Sequence, residues 1–471
     1  MAITGYLVTI AKVLTIMFDR ILKSRFIPVT LQILSLSVFA LFIYIGWGVT
    51  SDDSTFLLTL RNTNLANLFV WCFWWPGIIV VSVLFGRLWC TICPMELVAS
   101  LLNRIGLKLK VPHFFRSGWI ITLFYLTTLI IGVHTFSIHR VPHRMAIYLI
   151  LLFGVTIVAS LLFEKRAFCT YICPVGHLLG LYASVSSMEW RVKDHAVCTA
   201  CNGKPCVNKS RNYSWYGRAC QSNLFPGSLK DNRDCILCTQ CMKACPHDNV
   251  TFRFRSPFKD IKGKLTINAA QMLFFTIVFG FAFYEVVTEW SAGKALLLAP
   301  ANALNAYLNT PAQYNGSIKA TLLFVLLPAL LLCAVTLAQS GFRLKNMLAT
   351  FSTYIAAFIP LIATTHVAKS VVKSVSRFQY VPGAFTDSNG VETAKALTAG
   401  TLSIGGPWQG QLNLLARSGS VIVLILGFAA TIYLLNSYAR NSKRTFPALY
   451  ALLAFAYAFC TAGALIGKMF F

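Results

Sequence analysis

Residues 65–94 read LANLFVWCFWWPGIIVVSVLFGRLWCTICP, an apolar stretch that ends in two cysteines and a proline. Its uncharged part, residues 65–85, is long enough to cross the roughly 30 Å hydrocarbon core of a bilayer as a helix. A similar ending, KRAFCTYICP at residues 165–174, follows another apolar run. The two endings predict two parallel helical hairpins, each of which brings a Cys-Cys-Pro element to the same membrane surface.

The overall composition agrees with a membrane protein. The chain has 471 residues, of which 56% are hydrophobic and only 12% are charged, yet its formal net charge is +26. A basic nucleic-acid-binding protein of this length would carry far more charge in total. The composition therefore predicts lipid as the main surroundings and argues against a nucleic-acid partner.

Nine apolar runs have the length of a membrane-spanning helix, which predicts an α-helical polytopic membrane protein. Four precede a cysteine-rich middle segment and five follow it. The predicted spans cover residues 28–49, 65–85, 118–136, 145–163, 268–290, 320–339, 347–366, 420–436 and 448–466. A shorter apolar stretch before them, followed by Arg20, Lys23 and Arg25, predicts an interfacial helix.

The cationic residues predict an orientation. Lys and Arg are enriched before the first span, in the loop that contains Arg104 and Lys108, and in the segment 164–267. Because cytoplasmic loops carry the excess of Lys and Arg, we expect these segments to face the cytoplasm of a bacterial inner membrane. The predicted outer loop 369–417 departs from this scheme, since its first residues include the cations Lys369 and Lys373.

The middle segment contains eight cysteines in two related groups. The second group, Cys-x2-Cys-x2-Cys-x3-Cys-Pro at residues 235–246, has the spacing with which bacterial ferredoxins hold [4Fe–4S] clusters. The first group is a stretched version, and in two-cluster ferredoxins the fourth cysteine of each motif ligates the other cluster. Zinc sites are the alternative, which two interlocked sets of four thiols fit less well. The predicted ligands are Cys198, Cys201, Cys206 and Cys245 for one cluster, and Cys235, Cys238, Cys241 and Cys220 for the other.

The cysteines of the Cys-Cys-Pro elements allow three interpretations. They could form a further metal or cluster site, redox-active dithiols, or a structural element. Arg87, Lys165 and Arg166 would stabilise thiolates, which favours the first two interpretations. These four cysteines are Cys90, Cys93, Cys169 and Cys173. The lone cysteines are expected to be buried small hydrophobic residues, and they are Cys72, Cys333 and Cys460.

These motifs, in this order, resemble the NapH/NosR/CcoG-type membrane ferredoxins. The resemblance covers residues 65–254, and the five later spans, from Asn268 onward, are not part of the family pattern. The apolar runs and the cysteine motifs together predict four parts of the chain. They are an interfacial helix (1–27), a four-helix membrane domain with both Cys-Cys-Pro elements (28–189), a cytoplasmic two-cluster ferredoxin domain (190–262) and a C-terminal membrane domain of about five helices (263–471).

The resemblance also implies a function. We expect an electron-transfer component that passes single electrons between a quinol pool or cytoplasmic donor and a membrane or periplasmic redox partner, rather than a stand-alone catalyst. The alternative is a protein that matures metal centres or regulates by redox state through the Cys-Cys-Pro thiols. No predicted span carries two suitably spaced histidines, which argues against haem. Glu285 and Glu289 are either quinone or proton contacts or the solvated end of a helix, and Lys369 is expected to snorkel to the membrane surface.

Overall fold

The computed structural model describes residues 20–263, 265, 267–441 and 446–470. The predicted interfacial helix at residues 1–27 lies largely outside this part of the chain. Over the described residues the protein is mainly helical, and its two β-strands pair with each other.

Among the described residues, eight helices are long and apolar enough to cross a membrane. They run over Val29–Gly46, Leu65–Phe85, Pro142–Leu162, Ala269–Val287, Gln313–Gln339, Leu344–Thr386, Trp408–Asn441 and Ala448–Met469. Many of their large apolar side chains are exposed in the isolated chain, including Leu151, Leu426 and Phe459. Exposed apolar side chains on a hydrophobic helix are expected where lipid is the solvent, so the chain is a multi-pass membrane protein.

The third predicted span, 118–136, is shorter than expected. Its helical part is Trp119–Val133, with nine α-helical residues followed by six in a π-helix. Gly118 precedes the helix in a left-handed conformation (φ 86°), and Ser137 is also left-handed (φ 51°). Left-handed residues interrupt a right-handed helix. The turns at Gly118 and Ser137 therefore limit the length of this helix.

The predicted outer loop 369–417 is also largely helical. The helix Leu344–Thr386 has 43 residues and continues past Lys369 and Lys373, and the next helix long enough to cross a membrane begins at Trp408. The first cations of the predicted loop therefore lie on a helix. The shorter helices are Ser54–Thr63, Leu88–Ile92, Pro94–Ile105, His113–Arg116, Ala167–Tyr171, Pro174–Ala183, His195–Ala200, Gln240–Ala244, Lys259–Lys262, Ser291–Tyr307 and Val391–Thr398.

The chain divides into two compact units. Of the described residues, the first comprises 20–40, 81–116 and 152–260, and the second comprises 41–80, 117–151 and those from 261 onward. The first unit contains the antiparallel strands β1 (Met188–Val192) and β2 (Val250–Phe254), in which Trp190 is paired with Phe252.

The hairpin supplies the apolar core of the cysteine-rich segment. Trp190, Val192, Val250 and Phe252 are buried with Leu237 and Met242. Four half-buried cysteines pack against the same core. They are Cys198, Cys235, Cys241 and Cys245. The strands therefore anchor both cysteine motifs, although the motifs themselves consist of turns and short helices.

The second unit is a helical bundle. One of its cores joins Val286, Ala368, Val372, Leu424 and Leu465, which lie on four different long helices. The lone cysteines fit this packing only in part. Cys72 is buried, as predicted, whereas Cys333 and Cys460 are exposed in the isolated chain. The prediction was wrong for those two because an apolar helix in a membrane can turn small hydrophobic residues toward lipid.

Candidate metal centre

The eight cysteines of the middle segment line two cavities of the first unit. One cavity, which we call the inner cavity, is lined by Arg166, Trp190 and four cysteines. These are Cys220, Cys235, Cys238 and Cys241. The other cavity, which we call the outer cavity, is lined by Lys204, His247 and the remaining four cysteines. These are Cys198, Cys201, Cys206 and Cys245. Pro226 lines both cavities and separates them. The two groups are the two ligand sets that the sequence predicts.

The fourth cysteine of each set lies in the same local conformation. In both segments the residue three positions after the cysteine has a positive φ, 57° at Asn223 and 49° at Asp248. Asn and Asp tolerate this left-handed conformation better than most residues. The amide of the next residue then donates to the cysteine sulfur, from Leu224 to Cys220 at 3.4 Å and from Asn249 to Cys245 at 3.3 Å. Cys220 therefore occupies the structural position of Cys245, although no proline follows it.

The loop between Cys235 and Cys241 is also built from left-handed turns. Leu237 and Thr239 have φ values of 57° and 63°. These turns reverse the chain twice before the short helix Gln240–Ala244, so that closely spaced cysteines line one cavity. On the outer side the Asn249 side chain donates to the Cys198 sulfur at 3.2 Å. Donors directed at sulfur stabilise thiolates, which are the form that binds iron.

Each Cys-Cys-Pro element has the same local architecture. Cys90 lies on the short helix Leu88–Ile92, and Cys93 is the N-cap of the helix Pro94–Ile105. Cys169 lies on the short helix Ala167–Tyr171, and Cys173 is the N-cap of Pro174–Ala183. In both elements the proline takes the first helical position, where its missing N–H costs nothing. The Gly176 amide donates to the Cys173 sulfur at 3.3 Å.

The four cysteines of these elements are electrostatic neighbours of one another. Burial, together with Cys90 and Cys173, raises the pKa of Cys93, and burial also raises the pKa of Cys169 despite the charge of Arg166. Burial raises the pKa of Cys173 to about 11. We call Cys90, Cys93, Cys169 and Cys173 the thiol quartet. A raised pKa disfavours the thiolates of Cys93, Cys169 and Cys173, so a metal or cluster bound there would have to stabilise them.

The inner cavity contains the cysteine with the strongest cationic surroundings. Burial raises the pKa of Cys238, but Arg166 and Arg218 more than offset this effect, so the pKa falls below the usual value for a thiol. Burial raises the pKa of Cys235 to about 12 and that of Cys206 in the outer cavity to about 11. In the described part of the chain, no three His, Cys, Asp or Glu side chains are placed to bind one common metal ion. Each cavity instead offers four thiols, the donor set of a [4Fe–4S] cluster, in which each iron takes one protein ligand.

The first Cys-Cys-Pro element contacts the inner cysteine loop directly. The Thr91 hydroxyl donates to the carbonyls of Ile236 and Leu237 at 2.9 and 3.0 Å. The Arg87 guanidinium donates to the Arg233 carbonyl at 2.9 Å. Both contacts are made within the first unit and position the backbone between Arg233 and Cys238.

Comparisons with known proteins agree with the iron–sulfur interpretation. A protein family described as a 4Fe-4S binding domain matches residues 67–112 and 145–193. This chain is 24% identical over 229 residues to the regulatory protein NosR of Pseudomonas aeruginosa, and 24% identical over 246 residues to YccM of Escherichia coli, whose name describes electron transport. It is 20% identical over 234 residues to the protein NirI of Paracoccus denitrificans.

Each of these similarities covers less than half of this chain. The alignments cover 43% of this chain and 28% of NosR, 45% and 64% for YccM, and 42% and 32% for NirI. A match to an uncharacterized protein of Methanocaldococcus jannaschii covers 38% of this chain and 76% of that protein. No solved structure matches the chain. The matched ranges of the 4Fe-4S binding domain contain the thiol quartet and end before Cys198.

Three residues near the cysteines were missed by the sequence analysis. Glu96 and Arg218 belong to no motif, and Thr91 is a non-cysteine position of the first Cys-Cys-Pro element. The contacts of all three join positions far apart in the chain. Glu96 is 1% exposed and forms ion pairs with Arg166 and with Arg218. The sequence did contain one indication of this site, which is Glu96 itself. It is a single carboxylate among apolar residues directly after a Cys-Cys-Pro element, in a chain with only 15 acidic residues.

The second unit contains the other polar residues that the sequence analysis singled out. Lys369 forms ion pairs with Glu289 and, at 3.6 Å, with Glu285. It therefore does not simply snorkel to the membrane surface. The rings of His134 and His139 are 6.5 Å apart between centroids, whereas His143 accepts a hydrogen bond from the Gly48 amide. Whether the two carboxylates contact a quinone or protons remains a prediction.

Proposed function

We propose that this protein is a membrane-integral electron carrier that holds two [4Fe–4S] clusters, one in each cysteine-lined cavity. The main support is the grouping of the eight cysteines into two sets of four on opposite sides of Pro226. When bound, the clusters would supply one-electron redox chemistry. The chain's own residues hold the thiol ligands, direct amide donors at their sulfurs and bury the inner cavity.

The proposed donor and acceptor are those that the resemblance to membrane ferredoxins implies. We propose a quinol pool or a cytoplasmic protein as the donor, and a membrane or periplasmic redox protein as the acceptor. The cationic segment 164–267 supports a cytoplasmic position for both cavities at a bacterial inner membrane. The thiol quartet would act as a further redox or metal site, which is supported by its position inside the matched 4Fe-4S binding domain.

Iron analysis and EPR spectroscopy of the purified full-length protein test this proposal. We expect about eight iron atoms per chain for the two cavities and two interacting cubane signals after reduction. Cys235→Ser and Cys198→Ser should each remove one signal and leave the other, while the control Cys333→Ser, at an exposed lone cysteine, should remove none. About four iron atoms or fewer in the unmodified chain would overturn the two-cluster proposal.

A second function, in metal-centre maturation or redox regulation, is favoured by the similarity to NosR, which is described as a regulatory protein. In that case the thiol quartet would act on another protein. The double variant Cys93→Ser and Cys173→Ser separates the two functions in cells. A partner enzyme that is fully metallated but idle supports the electron carrier, whereas a partner that lacks its metal supports maturation.

A further inference from the structure

A buried group of three charged side chains lies beside the inner cavity. Arg166 and Glu96 have side chains that are 2% and 1% exposed, and they form an ion pair. Arg218, 12% exposed, pairs with the same carboxylate oxygen at 2.5 Å. We call Arg166, Glu96 and Arg218 the charge triad. Its net charge is positive, because two guanidinium groups share one carboxylate.

Burying such a triad is costly unless further groups compensate it. Removing a charge from water is unfavourable in a protein interior, and buried N–H donors without acceptors add to this cost. Nε and Nη1 of Arg166 and Nε of Arg218 are buried and have no hydrogen-bond partner among the described residues. The second oxygen of Glu96 is also unpartnered in this part of the chain. Contacts within the protein therefore leave several guanidinium donors unsatisfied.

The unsatisfied arginines lie beside the inner thiols. Arg166 lines the inner cavity with Cys220, Cys235, Cys238 and Cys241. A thiolate at Cys238 interacts electrostatically with both arginines, and so does a thiolate at Cys169 of the thiol quartet. A cluster held by four thiolates is anionic, so it would supply the negative charge that the triad lacks.

Among the residues that the structure describes, the outer cavity has no matching group. Its cationic lining residue, Lys204, is exposed to solvent and lies 5.3 Å from the Phe225 ring. A charge in water is screened within roughly 10 Å at moderate ionic strength, whereas a buried charge is screened much less. Two cavities with the same four-thiol donor set therefore differ in the buried charge next to them.

We propose that the charge triad raises the reduction potential of the cluster in the inner cavity, so that this cluster is reduced before the one in the outer cavity. This inference rests on the proposed two-cluster function. The physical reason is that reduction adds one negative charge to an anionic cluster, and adjacent positive charge stabilises the reduced state. Arg166 and Arg218 are positioning residues, since they act on the potential and are not predicted to bind iron.

Anaerobic EPR redox titration of the full-length protein tests the proposal, with Cys235→Ser used to assign the inner signal. Arg166→Gln removes a positive charge and should shift the inner midpoint potential downward. Glu96→Gln removes the negative charge and should shift it upward. Arg166→Lys, which keeps the charge, should leave most of the original potential. The control Lys209→Gln, at an exposed lysine of the first unit that lines neither cavity, should move neither midpoint potential.

The opposite signs separate an electrostatic role from a structural one. If the triad only supported the fold, Arg166→Gln and Glu96→Gln would both lower the iron content and would not shift the potentials in opposite directions. Two fully occupied clusters with unshifted potentials, or shifts of the same sign, would overturn the inference and leave the proposed function intact. If Arg166→Gln fails to assemble, the Glu96→Gln and Arg166→Lys results decide the question. Absence of any cluster signal in the unmodified protein would instead overturn the proposed function.

Discussion

The inner and outer cavities are built from similar sequence motifs but lie in different surroundings. Residues adjacent to the inner cysteines, such as Ile236, Leu237 and Thr239, are buried. Residues adjacent to the outer cysteines, such as Lys204 and His247, are exposed. Cysteine spacing therefore specifies a donor set, whereas the surrounding structure determines how dry, how charged and how rigid each site is.

The difference in exposure predicts unequal retention of iron, which is the largest effect we expect. The Cys198→Ser variant would keep only the inner cluster, and Cys235→Ser only the outer one. When each anaerobic protein is exposed to an iron chelator, we expect about half of the native iron in both at the start, and much faster release from Cys235→Ser. Access to a buried site requires local opening of the structure. Equal rates, or faster release from Cys198→Ser, would contradict the comparison.

Features that depend on residues close together in the sequence could be predicted, whereas contacts between residues far apart in the sequence could not. The two sets of four cysteines follow from local spacing, and apolar runs located eight of the nine predicted spans. The charge triad could not be predicted, because Glu96 meets Arg166 and Arg218 across 70 and 122 residues of chain. The contacts of Thr91 with the inner loop span a similar distance, about 145 residues. No periodic pattern encodes such pairs, which arise only when the helices pack.

The inner cavity should also tolerate added volume less well than the outer one. A Cβ atom at Gly180 would lie 2.6 Å from the backbone oxygen of Arg233, two residues before Cys235. At Gly227, beside the outer cavity, the nearest atom would be in the Phe225 ring at 2.7 Å, and a side chain can move. We expect Gly180→Ala to cost about 1–3 kcal/mol and to lower the inner cluster content, with a smaller effect for Gly227→Ala.

Thermal unfolding in detergent and quantification of each EPR signal would measure these two effects. The comparison fails if Gly227→Ala destabilises the protein more than Gly180→Ala, or if Gly180→Ala affects the outer signal first. Either result would mean that the backbone at Arg233 yields more readily than its contact with the helix Pro174–Ala183 indicates.

A single hydroxyl group provides a smaller test of how the inner loop is supported. Thr91→Val keeps the side-chain shape but removes the donor to the carbonyls of Ile236 and Leu237. Leaving buried carbonyls unsatisfied should cost about 1–3 kcal/mol. The matched control is Thr199→Val, because the Thr199 hydroxyl bonds only the exposed backbone of His195. We expect a lower unfolding temperature for Thr91→Val alone, and equal effects of both variants would show that the inner loop does not depend on Thr91.

The smallest expected effect concerns an ion pair beside the outer motif. Asp248, 57% exposed, pairs with Lys23 and with Lys193, and their hydrogen bonds and charges lower the pKa of its carboxyl group. The stabilisation is therefore present above the unfolded-state pKa of about 3.9 and is lost as the pH falls through the lower folded-state pKa. Exposed pairs contribute about 0–1 kcal/mol and weaken with salt. Asp248→Asn should accordingly lower the unfolding temperature slightly at pH 7 and low salt, and not at all at high salt. A large, salt-independent loss would show that the outer motif is as strongly tied to buried charge as the inner one.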